Sequence, residues 1–173
     1  KLEKGDKIGF RAPKTDLRNL NSRYIAPEFV PRPLYTVRVV LGPQDDLFTD
    51  QGVNTFLTET YTVTPEFDRM GCRLDGAAIQ HKDTGDIISD GIAFGAIQVP
   101  SAGTPIIMLA DRQSTGGYTK IGSVISVDLP KLVQSMAGYK VRFIEVGIEL
   151  AQELYVRQEK EFDGLEKRLN TRA

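Results

Sequence analysis

The chain of 173 residues contains no tryptophan, one histidine and one cysteine. His81 and Cys72 alone cannot build a tetrahedral structural zinc site, and no metal is expected. A single cysteine excludes an intrachain disulfide and fits a reducing compartment, so a cytoplasmic location is expected. A Ser-His-Asp triad would have to use His81. That residue sits in the polar stretch Gln80-His81-Lys82-Asp83-Thr84-Gly85-Asp86, which reads as a hairpin turn with a solvated imidazole. No apolar run approaches the roughly 18–20 residues that a membrane span needs. Charge of one sign is also missing: 22 Lys and Arg stand against 23 Asp and Glu, for a net charge of −1. Neither nucleic acid nor an anionic membrane is therefore an expected partner. No secretory signal is visible, and because the chain opens on Lys1 it reads as a fragment of a longer protein.

What is present suits one globular domain with a core of its own: 40% hydrophobic and 26% charged residues. Residues 1–33 read as a short strand pair around Gly5-Asp6, then a proline-rich linker. Residues 34–147 read as a run of short strands. Leu34 to Leu41 alternates and is β-branched, closing on Gly42-Pro43. Thr49 or Asp50 caps a short helix to about Leu57, with Val53, Phe56 and Leu57 on one face. Arg69 to Ile79 alternates again, with Cys72 and Leu74 facing one way and Arg73 and Asp75 the other. Gly-punctuated strands follow, and Gly116-Gly117 reads as a turn into a strand over 118–127. Asp128-Leu129-Pro130 opens a helix ended by Gly138, with Asp128 as its cap. About eight short strands with turns every ~8–12 residues predict a mainly β, closed barrel or sandwich with capping helices.

Residues 148–173 differ. Ala151, Tyr155, Gln158, Phe162, Leu165 and Leu169 step by three or four residues and predict one long C-terminal helix. Such a helix can lie across its own barrel or protrude to grip a partner, and the first is the default expectation.

Polar chemistry gathers in three places. Asp111-Arg112-Gln113-Ser114-Thr115-Gly116-Gly117-Tyr118-Thr119-Lys120 follows an apolar strand. Arg112 suits a carboxylate or phosphate, Gln113 an amide, and Tyr118 and Lys120 a developing oxyanion. Gly116 and Gly117 would admit a close ligand approach or positive φ. Equally, this can be a polar hairpin in which Asp111 and Thr115 satisfy the turn. The stretch is not a GxxxxGK[ST] phosphate loop. A second cluster is Ser89-Asp90-Gly91 with Gln98, where Asp90 is a candidate acid or base, or just a turn residue. The third is Arg69 with Arg73 and Asp75, the last two expected to form a structural ion pair.

Three stretches carry a family resemblance: MGCRLDG at 70–76, DIISDGIAFGAIQVP at 86–100 and PIIMLADRQSTGGYTKIGSVISVDLPKL at 105–132. With VRVVLGPQDDLFT at 37–49 and ELYVRQEKEFDGLEKRL at 153–169, they resemble the second subunit of allophanate hydrolase and its relatives. These include the C subunit of bacterial 5-oxoprolinase, the antagonist of the sporulation-kinase inhibitor, and part of the carboxyltransferase domain of urea carboxylase. The resemblance covers the later half of a family chain, since the earlier Gln-Asp-x-Gly-Arg type motif is missing. It implies a cyclophilin-like closed β-barrel without implying isomerase activity. It also implies a companion cyclophilin-like subunit, a third catalytic subunit, and use of ATP by the complex to open a small lactam, 5-oxoproline, to glutamate.

On that resemblance Arg112, Gln113 and Gln98 are expected to bind substrate, with Thr115, Gly116, Gly117 and Tyr118 beside them. Asp90, Asp111 and Lys120 are the catalytic candidates. Biotin enters only under the alternative, a carboxyltransferase module acting on a urea-derived substrate. A non-enzymatic module that binds a kinase-inhibitor partner is the third reading. All three place residues 111–120 around one shared cavity mouth.

Overall fold

The computed structural model describes residues 2–9 and 32–170. Residues 2–9 make a turn at Gly5, where Asp6 N–H donates to Glu3 O, and form no strand. The rest of the expected linker, 10–31, lies outside the described residues.

Eight strands follow: β1 (Leu34–Leu41), β2 (Tyr61–Phe67), β3 (Gly71–Asp75), β4 (Asp86–Gly91), β5 (Ala96–Val99), β6 (Ile106–Met108), β7 (Thr115–Val124) and β8 (Lys140–Glu145). Seven form a closed ring in the order β1-β8-β2-β3-β6-β5-β7, and β7 pairs back onto β1. Closure leaves these strands without a free edge. β1 and β8 run parallel, with Tyr35 opposite Val141 and Val37 opposite Phe143. β4 stays outside the ring, an arm paired to the first half of β7.

Alternation puts Tyr35, Val37 and Val39 inward from β1 and Cys72 and Leu74 inward from β3. The barrel fills with Phe48, Phe56, Tyr61, Ile97, Val99, Ile107, Ile121 and Phe143. Phe56 stacks on Phe143 with 4.5 Å between centroids. Phe56 comes from α1 (Asp50–Thr58), whose cap is Thr49: its Oγ1 accepts from Gly52 N–H at 2.9 Å.

Several expectations change. β3 stops at Asp75 instead of reaching Ile79, and β7 already starts at Thr115, so Gly116 and Gly117 lie within a strand. The turn falls earlier, where Arg112 N–H reaches Leu109 O. α2 spans only Leu129–Val133, and Gly138, at φ +89°, belongs to a separate turn. Asp128 occupies the cap position but makes no cap bond. Its buried carboxylate instead takes Arg38 Nε and Nη2 at 2.8 and 2.7 Å, Arg38 N–H at 2.8 Å and Lys131 Nζ at 2.7 Å. Two cations and a backbone donor outcompete the helix N-terminus for it.

α3 (Ile148–Asn170) does not lie across the barrel. None of residues 148–169 is buried. Its first turns, to Val156, flank a groove against Val40, Leu41 and Ser123 to Ser126, while further along Phe162 stays 52% exposed. Among the described residues, no helix is long and apolar enough to cross a membrane.

Candidate functional site

Strand alternation also decides which polar residues meet. Ile97 and Val99 of β5 point into the core, so Ala96 and Gln98 face outward, as does Lys120 between inward Thr119 and Ile121 of β7. Gln98 and Lys120 are opposite each other in the β5–β7 ladder. Both are buried although they face outward. Ile92, Ala96, Ile106 and Met108 form a second apolar cluster, on the outer face that Gln98 shares.

The Lys120 ammonium, only 2% exposed, donates to Asp90 Oδ2 at 2.8 Å. Asp90 sits on the β4 arm and is 53% exposed. Gln44 completes the arrangement. Its Nε2 donates to Asp90 Oδ2 at 3.2 Å, its Oε1 accepts Lys120 N–H at 3.1 Å, and its own N–H reaches Lys120 O at 3.1 Å. The Lys120 hydrogen bond first, then Gly91 N–H and Gln44, hold the Asp90 carboxyl below its usual range. Asp90 is therefore an ionised partner at neutral pH, not a proton reservoir.

Gln98 Nε2 is buried with no hydrogen-bond partner. An unsatisfied buried amide is unfavourable for folding alone. A side chain at Gly116 would disturb it: a Cβ there would lie 2.9 Å from Gln98 Nε2 and 2.7 Å from Ile92 Cδ1. Neither Gly116 nor Gly117 has positive φ, so at Gly116 the glycine serves close packing rather than a turn.

The structure thus gathers Asp90, Gln98, Gly116 and Lys120 and separates the others. Asp111 turns away to Arg69, in a two-pronged pair at 2.6 and 2.9 Å that depresses its pKa. Arg112 donates Nε to Ile92 O at 2.9 Å and Nη1 to Leu109 O at 3.3 Å, its guanidinium 5.7 Å from the Phe94 ring centroid. Gln113, Thr115 and Tyr118 are exposed, Tyr118 opposite Asp86 in the β4–β7 ladder. Residues 111–120 therefore do not converge on one mouth. Asp111 and Lys120 serve different clusters, and Arg112 braces the loop that carries Ile92.

Two further expectations are corrected. Arg73 pairs with Glu66 at 2.9 Å, not with Asp75, because antiparallel β2 lies directly alongside it. His81 is not a solvated turn residue. Its Nε2 lies 3.0 Å from Thr119 Oγ1 and 3.1 Å from Val99 O, and its ring packs 4.6 Å from Phe48. Burial pushes the Cys72 thiol up to about 12, so it is no nucleophile at neutral pH. Among the described residues no three His, Cys, Asp or Glu side chains gather as a metal-ligand set. Gln44 is a site residue that sequence reasoning misses. Its only local signal is its place after Gly42-Pro43.

The 5-oxoprolinase C subunit of Haemophilus influenzae is 38% identical over 107 residues, covering 62% of this chain and 35% of that protein. The Escherichia coli protein of the same name is 30% identical over 134 residues, covering 78% and 43%. The matched segments thus span less than half the length of these relatives. The crystal structure of the K. lactis urea amidolyase superposes with a TM-score of 0.74 at 23% identity, over 80% of this chain and 9% of that one, a likeness of fold. The family model for the carboxyltransferase domain, subdomain A and B, matches residues 1–145. The chain belongs to that carboxyltransferase-domain family.

Proposed function

We propose that this chain is part of a subunit of an ATP-dependent amide-hydrolysing complex, with 5-oxoproline as substrate, and that the outer face of β5 and β7 handles the amide. The buried amide of Gln98, unpartnered beside the Lys120 ammonium, carries the reading. A planar lactam needs a donor to its carbonyl oxygen, and Gln98 Nε2 is a free donor of that kind. As negative charge grows on that oxygen or on a phosphoryl group at it, the Lys120 ammonium offsets it in a site shielded from water. Asp90 and Gln44 hold the ammonium in place. Substrate reaches Gln98 only when the β4 arm and the Ile92 segment yield, because Nε2 is covered. ATP is assigned to the complex: Gly116 and Gly117 lie in a paired strand and do not form a phosphate-cradling loop.

Two relatives bear the name of a 5-oxoprolinase subunit, which supports the substrate class. The test is 5-oxoproline-dependent ATP hydrolysis by the complex reconstituted with its companion subunits. Turnover should require the polypeptide carrying this chain and fall by roughly 10²–10³-fold in Lys120→Met. Turnover that is equal with and without the polypeptide, or unchanged in Lys120→Met, overturns the reading.

A further inference from the structure

The exposed face of α3 has a finer order than an ordinary amphipathic helix. Ile148, Ala151, Tyr155, Gln158, Phe162, Leu165 and Leu169 are spaced 3, 4, 3, 4, 3 and 4 residues apart. That is an unbroken a/d heptad seam over three repeats, with Ile148, Tyr155, Phe162 and Leu169 at a. None of the seven is buried: Ala151, Gln158, Leu165 and Leu169 are half-covered and the other three are open. Ile148 is 51% exposed, Tyr155 48% and Phe162 52%. At its start, Ile148, Ala151 and Tyr155 form one wall of a groove of about 700 Å³ whose other wall includes Val40, Leu41 and Phe94. Groove and seam make one apolar track.

The flanking positions say what fits it. On the e flank stand Gln152, Glu159 and Glu166, and on the g flank Leu154, Glu161 and Arg168. Glu161 is within 3.5 Å of Arg157 on its own helix. Among the described residues, Glu159 and Glu166 stand in no ion pair. A second copy of α3 cannot supply one. Packed parallel, e positions face the g positions of the other helix, so Glu166 meets Glu161. Packed antiparallel, e faces e, which offers only Gln and Glu, while g faces g, where Glu161 meets Arg168. The acidic flank also disfavours an anionic lipid surface.

We infer that α3 and its groove are the docking surface for an amphipathic helix of a different protein, one with Lys or Arg beside its apolar stripe opposite Glu159 and Glu166. Self-pairing sets the Glu159 and Glu166 flank against like charge or an uncharged residue in either direction, and opposite charge selects the partner. Gln158, the polar residue at a d position, would fix the register at some cost in strength.

Two synthetic helical peptides of about three heptads test this. Both carry Leu and Ile at a and d; one has Lys at e and g, the other Glu. Titrated against the chain by fluorescence anisotropy, the Lys peptide should bind at least about tenfold tighter than the Glu peptide. Glu159→Lys with Glu166→Lys should reverse that order, and Phe162→Glu should abolish binding of both. Reversing Glu153 and Asp163, which lie off the seam, should leave the preference intact. Equal binding of the two peptides, no binding of either, an equal effect of the off-seam pair, or a concentration-dependent dimer of the chain through α3 overturns the proposal. Circular dichroism confirms that each variant keeps its helix.

Discussion

Lys120 Nζ lies 2.8 Å from Asp90 Oδ2, yet the first side chain is 2% exposed and the second 53%. The cation has given up water while its counter-charge stands in it. The pair is thus an anchor between barrel wall and β4 arm, and its two halves are not equivalent. Asp90→Asn leaves a buried ammonium without its anion, the costly way to break such a pair. Lys120→Met leaves an aspartate that simply hydrates. Chemical denaturation should therefore show Asp90→Asn the more destabilised of the two. The opposite order would mean that the ammonium has another route to solvation.

Gly116 and Gly164 should respond to alanine in opposite directions. A Cβ at Gly116 would press on Ile92 and Gln98 at 2.7 and 2.9 Å, whereas at Gly164 nothing lies within 4 Å. Gly116→Ala should cost about 1–3 kcal/mol through overpacking and raise KM in the reconstituted complex. Gly164→Ala, inside α3, should raise the helix's stability by about 1 kcal/mol. Denaturant midpoints and the helical circular dichroism signal report both. A Gly116→Ala variant as stable as the parent would show that Ile92 yields freely.

The difference between those glycines also shows what the sequence can and cannot disclose. Elements set by local pattern are legible: alternation marks β1 and the inward face of β3, a hydroxyl before an apolar stripe marks the Thr49 cap, and heptad spacing marks α3. The closed barrel and the family are legible as well. Gly116-Gly117 misleads because two glycines signal a turn, whereas here bulky neighbours from elsewhere occupy the space a side chain would need. Asp128 misleads in the same way, since Arg38, 90 residues earlier in the chain, captures its carboxylate. Gln44 is hidden because its contact with Asp90 spans 46 residues and no local motif encodes it. Asp90, Gln98, Gly116 and Lys120 stand out in the sequence as polar or glycine-rich clusters. What spacing conceals is that Asp111 and Arg112 are held by Arg69 and by the backbone.

Acid sensitivity should trace most to Asp128, the buried one of the three aspartates whose pKa is lowered. Burial by itself would raise its pKa, but bonds from Arg38 and Lys131 outweigh that and leave it lowered. A folded pKa below the unfolded one adds stability at every pH above the unfolded value of about 4. That stability disappears as the pH falls from there through the folded value. Asp128→Asn should therefore be clearly destabilised at pH 7, and its deficit should shrink as the pH is lowered below about 4. Thermal melts of both proteins at several pH values check this. A deficit independent of pH would assign the loss to packing instead of charge.

Gln98→Met separates folding from function. The two side chains are similar in length, and methionine removes the unpartnered amide from its buried place. If the amide is kept for a ligand, folding gains from its loss, by about 1 kcal/mol, because no hydrogen bond within the protein is broken and the desolvation penalty on Nε2 is relieved. The same change should lower 5-oxoproline turnover in the complex, since the lactam carbonyl loses its donor while Lys120 and Asp90 stay in place. A residue that merely packs would lose stability and activity together or neither. Lowered stability with full turnover would transfer Gln98 from the site to the scaffold, and the case for an amide substrate on this face of the barrel would go with it.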